Sequence, residues 1–148
     1  MKLKLRLPFN GKFPLTFPFG AVSDNEEIKK RFVQWGIKGH HGIDYGLPPG
    51  TEVLSCDRGA VIQSGHHLDW GISVTLKHRW GISIYAHLQQ SQVHIGDKIK
   101  AGQVIGLSGQ SGAAFGAHLH FGIKLNHPDP DNGYLGFSDP SPYFGMSK

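Results

Sequence analysis

Short runs of β-branched and other apolar residues recur between glycine-containing turns along the chain beyond residue 50. They lie at residues 52–55, 59–64, 72–78, 82–87, 98–100, 104–107 and 118–125. Apolar and polar residues alternate around Val74 and Leu76, and again around Ile82 and Ile84, as in strands that bury one face. The 21 glycines fall at turn-like intervals among these runs. The pattern therefore predicts a turn-rich, mostly β fold.

One short helix is predicted in the N-terminal half of the chain. Ser23 and Glu26 fit a capping box, in which each side chain satisfies a backbone donor of the other residue. An apolar stripe follows at helical spacing and consists of Ile28, Phe32 and Trp35. Gly36 or Gly39 is expected to end the helix. We expect Trp35 to anchor the core rather than to contact a substrate.

Length, cysteine content and charge limit the class of protein. A chain of 148 residues can form one domain whose core needs no disulfide, and we predict a single domain over residues 1–148. The single Cys56 lies in an apolar run and is expected to be a small buried residue rather than a nucleophile. The net charge of +4 favours anionic partners such as cell-wall polymers, nucleic acid or anionic lipid, and it equally serves solubility.

The N-terminal segment does not have the pattern of a signal peptide. Basic residues alternate with leucine over residues 2–6, which predicts an edge strand, and Pro8 and Gly11 interrupt any apolar core that follows. No run approaches the length of a transmembrane helix, so we expect no membrane insertion. Either a leader has been removed or the protein leaves its cell by another route.

The tripeptide His118-Leu119-His120 carries the strongest chemical signal. Side chains in a strand alternate between faces, so the two imidazoles share one face and Leu119 points to the other. One imidazole can bind a metal ion while its neighbour handles protons. His87, in another predicted strand, supplies a further imidazole suited to proton transfer.

A second pair of candidate metal ligands, His40 and Asp44, lies far upstream. Fully extended, these positions would be about 13 Å apart, so the segment must bend, and Gly42 is placed to allow the bend. His41 has the opposite parity and is expected to face away. Two histidines and one carboxylate would leave the fourth tetrahedral position of zinc open for water, which is typical of a catalytic site.

These motifs resemble the lysostaphin-type, or LytM-like, zinc endopeptidases that cut peptidoglycan peptides. The resemblance covers residues 40–125 most strongly. Its segments are His40-x-Gly42-x-Asp44-Tyr45, Gly50-Thr51-x-Val53, Gly59-x-Val61, Tyr85-x-His87-Leu88, the glycine-rich stretch over residues 96–112, and Gly116-x-His118-Leu119-His120-Phe121.

The resemblance implies a role for each of five residues. His40, Asp44 and His120 would bind one Zn²⁺ ion per chain, and His87 and His118 would be the two catalytic histidines. The implied fold is a small antiparallel β-sheet domain with a groove whose floor carries the metal. The implied reaction is hydrolysis of peptide bonds in bacterial peptidoglycan, in stem peptides or cross-bridges, by a monomer that acts at the cell wall, outside the cell or in the periplasm, as a phage lysin does.

Three residues outside this set are expected to contact the substrate: Asp69, Trp70 and Tyr85. The long stretch between Gly20 and His40 is expected to form one wall of the groove. No preceding segment is long enough for an inhibitory pro-domain, so we expect activity without proteolytic trimming. Two other functions stay open: a non-catalytic wall-binding activator of other hydrolases, and a nucleic-acid-binding module. The second lacks a basic, aromatic strand face, and no nucleic acid is expected as a partner.

Overall fold

The computed structural model describes residues 3–112, 114 and 116–145, and within them the chain is mostly β with one α-helix. The strands are β1 (Leu15–Phe17), β2 (Ile43–Tyr45), β3 (Glu52–Leu54), β4 (Gly59–His66), β5 (Ile72–Lys77), β6 (Gly81–Ser91), β7 (Lys98–Ile99), β8 (Val104–Ser108) and β9 (Leu119–Leu125). The helix α1 spans Glu26–Trp35, and 3-10 turns occupy Leu68–Trp70 and Ser141–Tyr143. Within these ranges, no helix is both long and apolar enough to cross a membrane.

The strands form one antiparallel sheet in the order β1-β2-β9-β6-β5-β4-β7, and β8 pairs with β3 and with the end of β6. This order places β2 directly beside β9, although the two strands are far apart in the sequence. Asp44 of β2 and Ala86 of β6 both pair with His120 of β9. The antiparallel β-sheet predicted from the sequence is therefore confirmed.

An irregularity in β6 decides where His87 points. Val74 of β5 pairs with Tyr85 and Ile72 pairs with Leu88, so β6 holds one residue more than its partner between these pairs. His87 occupies this bulge with a left-handed φ of 63°, which is uncommon for a residue with a side chain. Residues two apart normally share a face of a strand. Across the bulge they do not, and Tyr85 and His87 lie on opposite faces.

The core lies on one side of the sheet. This explains why apolar and polar residues alternate along the strands. Ile43, Tyr85, Leu119 and Phe121 are fully buried in it. Cys56 is buried with them, as predicted, and burial raises the pKa of its thiol to about 12. The thiol is therefore protonated at neutral pH and is a poor nucleophile. Since Leu119 enters the core, His118 and His120 are left for the opposite face.

The start and end of α1 follow local chemistry. Asn25 caps the helix, because its side-chain oxygen accepts hydrogen bonds from the backbone N–H groups of Glu27 and Ile28 at 2.9 and 3.1 Å. Ser23 accepts from the Asn25 N–H instead, so the predicted capping box is wrong. The helix ends at Gly36, one of the two predicted positions, where φ is 77°.

Helix α1 packs differently from the prediction. None of its ten residues, all within the described part of the chain, is buried. Trp35 is half-buried and lies outside the core, so its predicted role as a core anchor is wrong. The two ends of the segment that carries the helix are hydrogen-bonded to each other. The Gly20 N–H donates to the His40 carbonyl at 2.7 Å, and the His40 N–H donates to the Ala21 carbonyl at 2.8 Å.

The N-terminal segment contributes less than predicted. Leu5 forms an isolated parallel bridge with Phe144, and residues 3–7 form no strand beyond this bridge. Residue 2 lies outside the described residues. The buried Leu5 side chain nevertheless attaches this segment to the core.

A buried histidine in the β5–β6 turn makes stability depend on pH. His78 stacks on Trp80, with ring centroids 4.5 Å apart, and its Nδ1 lies 2.6 Å from the Arg58 carbonyl oxygen. Burial lowers the pKa of His78, although the Arg58 carbonyl and Asp57 oppose the shift. The unfolded chain, with a histidine pKa near 6.5, takes up this proton first. The stability contributed by neutral His78 is therefore present above about pH 6.5 and lost as pH falls below it.

We expect the metal-free protein to show a lower thermal midpoint at about pH 5 than at about pH 7.5, and His78→Asn to show a smaller decrease. Both midpoints are measured by circular dichroism in chelator. An equal decrease in the two proteins would contradict this assignment.

Candidate metal centre

Three side-chain atoms converge on the groove side of β2 and β9. His40 Nε2 lies 3.2 Å from His120 Nδ1 and 3.3 Å from Asp44 Oδ1, and the last two atoms are 3.0 Å apart. Zinc bonds of about 2.0–2.2 Å would place tetrahedral ligands about 3.3–3.6 Å apart. The three atoms thus need to separate by only a few tenths of an ångström to hold such an ion, so the donor set fits the implied metal.

Each ligand is held by its element. Asp44 and His120 are paired neighbours on β2 and β9, so their side chains emerge side by side. His40 lies just ahead of β2, and its Nδ1 is 3.2 Å from the Phe17 carbonyl oxygen. Since a carbonyl only accepts, Nδ1 carries the proton and Nε2 presents its lone pair to the centre.

Gly42 makes room for this arrangement. A Cβ at this position would lie 2.6 Å from both Cε1 and Nε2 of His120, and 2.6 Å from the Phe121 carbonyl oxygen. Its φ is outside the left-handed region, so the missing side chain matters here rather than unusual backbone freedom. The His120 ring therefore packs directly against the Gly42 backbone.

The charge states of the three side chains suit a cation. Burial alone would raise the pKa of Asp44, but hydrogen bonds with His120 and His40 hold it below its usual range. Burial lowers the pKa of His120, with Asp44 opposing. At neutral pH the carboxylate is ionised and the His120 imidazole is neutral, which are the forms that bind metal ions.

Two further histidines flank the three ligands. The rings of His87 and His118 are 4.9 Å apart, and His118 Nε2 lies 3.5 Å from Asp44 Oδ2. The Nδ1 atoms donate to backbone carbonyls, that of His87 to Ser111 at 2.7 Å and that of His118 to Gly116 at 3.1 Å. In the neutral form each ring therefore keeps its lone pair on Nε2. Burial, helped by His120, lowers the pKa of His87 to about 4, so this imidazole is neutral near pH 7.

These five side chains lie in a groove with a volume of about 610 Å³. Helix α1 and the 3-10 turn Leu68–Trp70 both line this groove. The lining of the groove is mostly apolar and includes Ile28, Phe32, Trp35, Leu68, Trp70 and Leu135.

Comparison with known proteins identifies the family. The model of Peptidase family M23 matches residues 38–131, which contain the three candidate ligands and both flanking histidines. The chain belongs to peptidase family M23. The resemblance inferred from the sequence motifs is thereby confirmed.

Similar proteins from several bacteria agree with the M23 assignment. The chain is 34% identical over 123 residues to an uncharacterized metalloprotease of Buchnera aphidicola, covering 82% of this chain and 31% of that protein. It is 37% identical over 116 residues to the peptidoglycan DD-endopeptidase ShyC of Vibrio cholerae, covering 76% and 27%. The chain thus spans less than a third of the length of either relative.

A solved M23 structure has the same fold. The catalytic domain of the antimicrobial peptidase lysostaphin from Staphylococcus simulans superposes with a TM-score of 0.73 at 26% identity, covering 88% of this chain and 91% of that domain. The predicted fold class, a small mostly β domain with one helix, agrees with this neighbour.

Of the three residues expected to contact substrate, two line the groove and one does not. Asp69 and Trp70 line the M23 groove. Tyr85 is fully buried, and its hydroxyl accepts a hydrogen bond from the Cys56 backbone N–H at 2.9 Å. The expectation for Tyr85 is therefore wrong, because the bulge in β6 turns His87 into the groove and leaves Tyr85 in the core.

His41 is also placed differently from the expectation. It is buried and does not face away from the site: its ring stacks on Trp70 at 5.2 Å and lies 5.2 Å from the His120 ring. Residues 40–42 precede β2, so the strand alternation used to place His41 does not apply there. Phe137, which packs against His41 at 5.2 Å, was missed because it follows the last strand, where no periodic pattern signals it.

Proposed function

We propose that this chain is a zinc-dependent endopeptidase that hydrolyses peptide bonds in bacterial peptidoglycan, in stem peptides or cross-bridges. The observation that carries the proposal is the convergence of three ligand atoms within 3.3 Å of one another beside two further histidines on the floor of one groove. Membership of family M23 and the name of the relative ShyC support the same reaction and substrate.

The proposed zinc ligands are His40 Nε2, Asp44 Oδ1 and His120 Nδ1. When bound, zinc supplies Lewis-acid polarisation of a carbonyl and lowers the pKa of a water molecule toward about 7. Three protein ligands leave one tetrahedral position open, which suits a catalytic rather than a structural ion.

The chain's own histidines handle the proton. His87 and His118 present Nε2 lone pairs in the groove and can accept a proton from the attacking water. The resulting imidazolium can stabilise the developing oxyanion and then donate the proton to the leaving nitrogen. The carbonyls of Ser111 and Gly116 fix both rings in the required tautomer.

The substrate implies a site of action at the cell wall. We propose a monomer in which the continuous sheet of the described residues forms one peptidase domain. A phage-delivered or processed enzyme would fit this proposed site of action. An antimicrobial role like that named for the lysostaphin neighbour would fit it as well.

Metal content and wall hydrolysis, measured together, test the proposal. We expect about one zinc per purified chain and release of new amino groups from peptidoglycan, with more than about 90% of the release lost in chelator and restored by added zinc. Walls from a Gram-negative source and from a polyglycine-bridged source are assayed in parallel. Bound zinc without cleavage of either wall would contradict the proposed reaction.

A further inference from the structure

We infer that α1 selects the substrate: its apolar face (Ile28, Phe32 and Trp35) binds an aliphatic side chain beside the scissile bond, so peptides with such a side chain are preferred over peptides of glycine alone. The inference rests on the proposed peptidase function and adds a substrate class to it.

The first support is the way α1 is placed. An amphipathic helix normally buries its apolar face in the core. Here Ile28, Phe32 and Trp35 are only half-buried and line the groove, while Val33 on another side of the helix is 82% exposed. The apolar face of α1 is thus offered to whatever occupies the groove.

The second support is the distance to the metal centre. The ring of Phe17 lies 4.5 Å from that of His40 and 6.3 Å from that of Phe32, and Phe32 lies 6.4 Å from Trp35. An unbroken aromatic surface therefore runs from a candidate zinc ligand to α1. In the proposed complex, a peptide whose carbonyl lies at the three ligands has its neighbouring side chain against this surface.

The third support is a contact that holds α1 over the groove. Trp35 Nε1 donates a hydrogen bond of 2.9 Å to Asp69 Oδ2 in the 3-10 turn Leu68–Trp70, which also lines the groove. The next residue of that turn, Trp70, lies 4.9 Å from the His120 ring. A contact between side chains, rather than burial in the core, thus ties the helix to the turn that lies beside the metal centre.

The chemistry of the walls favours aliphatic groups. Exposed Leu68 and Leu135 face the same groove as α1. A glycine peptide has no side chain to bury there, whereas one missing methyl or methylene group in an apolar pocket changes specificity by about 10-fold or more.

The test compares two zinc-loaded reactions on synthetic peptides of equal length, one with D-alanine at the cleaved bond and one of glycine alone. We expect kcat/KM to be at least about 10-fold higher for the alanyl peptide. Phe32→Ala should remove most of this preference by lowering kcat/KM for the alanyl peptide while leaving the glycyl value within about 2-fold. Trp35→Phe, which keeps a ring but loses the bond to Asp69, should lower the preference in the same direction.

Val33→Ala is the matched control, since it removes an apolar side chain from the same helix outside the groove, and it should change neither rate. Equal rates on both peptides in the unmodified chain, or a Phe32→Ala variant that lowers both rates equally, would overturn the inference and leave the peptidase function intact. Cleavage of neither peptide nor of any wall by zinc-loaded protein would overturn the proposed function, and the inference with it.

Discussion

Replacing His120 by alanine is expected to abolish zinc binding and hydrolysis together, whereas replacing His118 by alanine should leave zinc bound and remove hydrolysis. His120 Nδ1 is one of three atoms that converge on the proposed ion, and two remaining donors hold zinc poorly. His118 lies outside that set, 3.5 Å from the second oxygen of Asp44. Loss of a positioned acid–base group should lower kcat/KM by about 10²–10⁴-fold.

Zinc content by metal analysis and amino-group release from peptidoglycan, measured on the same samples, separate the two variants. His94→Ala serves as the control, because the His94 side chain is 92% exposed and should be dispensable for both properties. A fully active His118→Ala variant would show that the proton is handled elsewhere. A zinc-free His118→Ala variant would show that the ligand set has been assigned wrongly.

Gly42→Ala is expected to weaken zinc binding as strongly as the loss of a ligand, although it adds only one methyl group. The new Cβ would lie 2.6 Å from two atoms of the His120 ring and from the Phe121 carbonyl oxygen. Relief requires the ring or the β2–β9 pair to move, which displaces Nδ1 from the other ligands. Overpacking of this kind costs about 1–3 kcal/mol in the free energy of unfolding.

Gly46→Ala is the matched control for this change. It lies just beyond the same strand, and its Cβ would meet only side-chain atoms, of Pro14 at 3.2 Å and of Thr16 at 3.3 Å. We expect nearly normal zinc affinity for Gly46→Ala in competition titrations against a chromogenic chelator. Gly42→Ala with the zinc affinity of the unmodified chain would contradict the direct packing of His120 on this glycine.

The site was predictable where the backbone is regular. His118 and His120 flank Leu119, the first residue of β9, which enters the core, so alternation placed both imidazoles on the same side. The expectation for Tyr85 failed because the extra residue in β6 places Tyr85 and His87 on opposite faces. A bulge depends on pairing with two other strands, and the local sequence carries no sign of it.

The helix shows a similar division between local and long-range information. Its existence follows from nearby residues and was predicted, and it ends at Gly36, one of the two positions predicted. The stretch that contains it was expected to form a groove wall, and α1 does line the groove. The core position expected for Trp35 was wrong, because the periodicity of Ile28, Phe32 and Trp35 shows that one face is apolar without showing what that face meets. The fold shows that this face meets the groove rather than the core.

The backbone hydrogen bonds between Gly20, Ala21 and His40 join the two ends of the segment that carries α1. Since no residue of α1 is buried, the sheet depends little on the composition of residues 26–35. The buried Ile37 and Gly39, which follow the helix, remain part of the domain. Helical segments of other compositions should therefore be exchangeable between residues 21 and 37 while the metal ligands stay in place. The range of peptides accepted by such a domain can then diverge, by natural variation or by engineering, at little cost to folding.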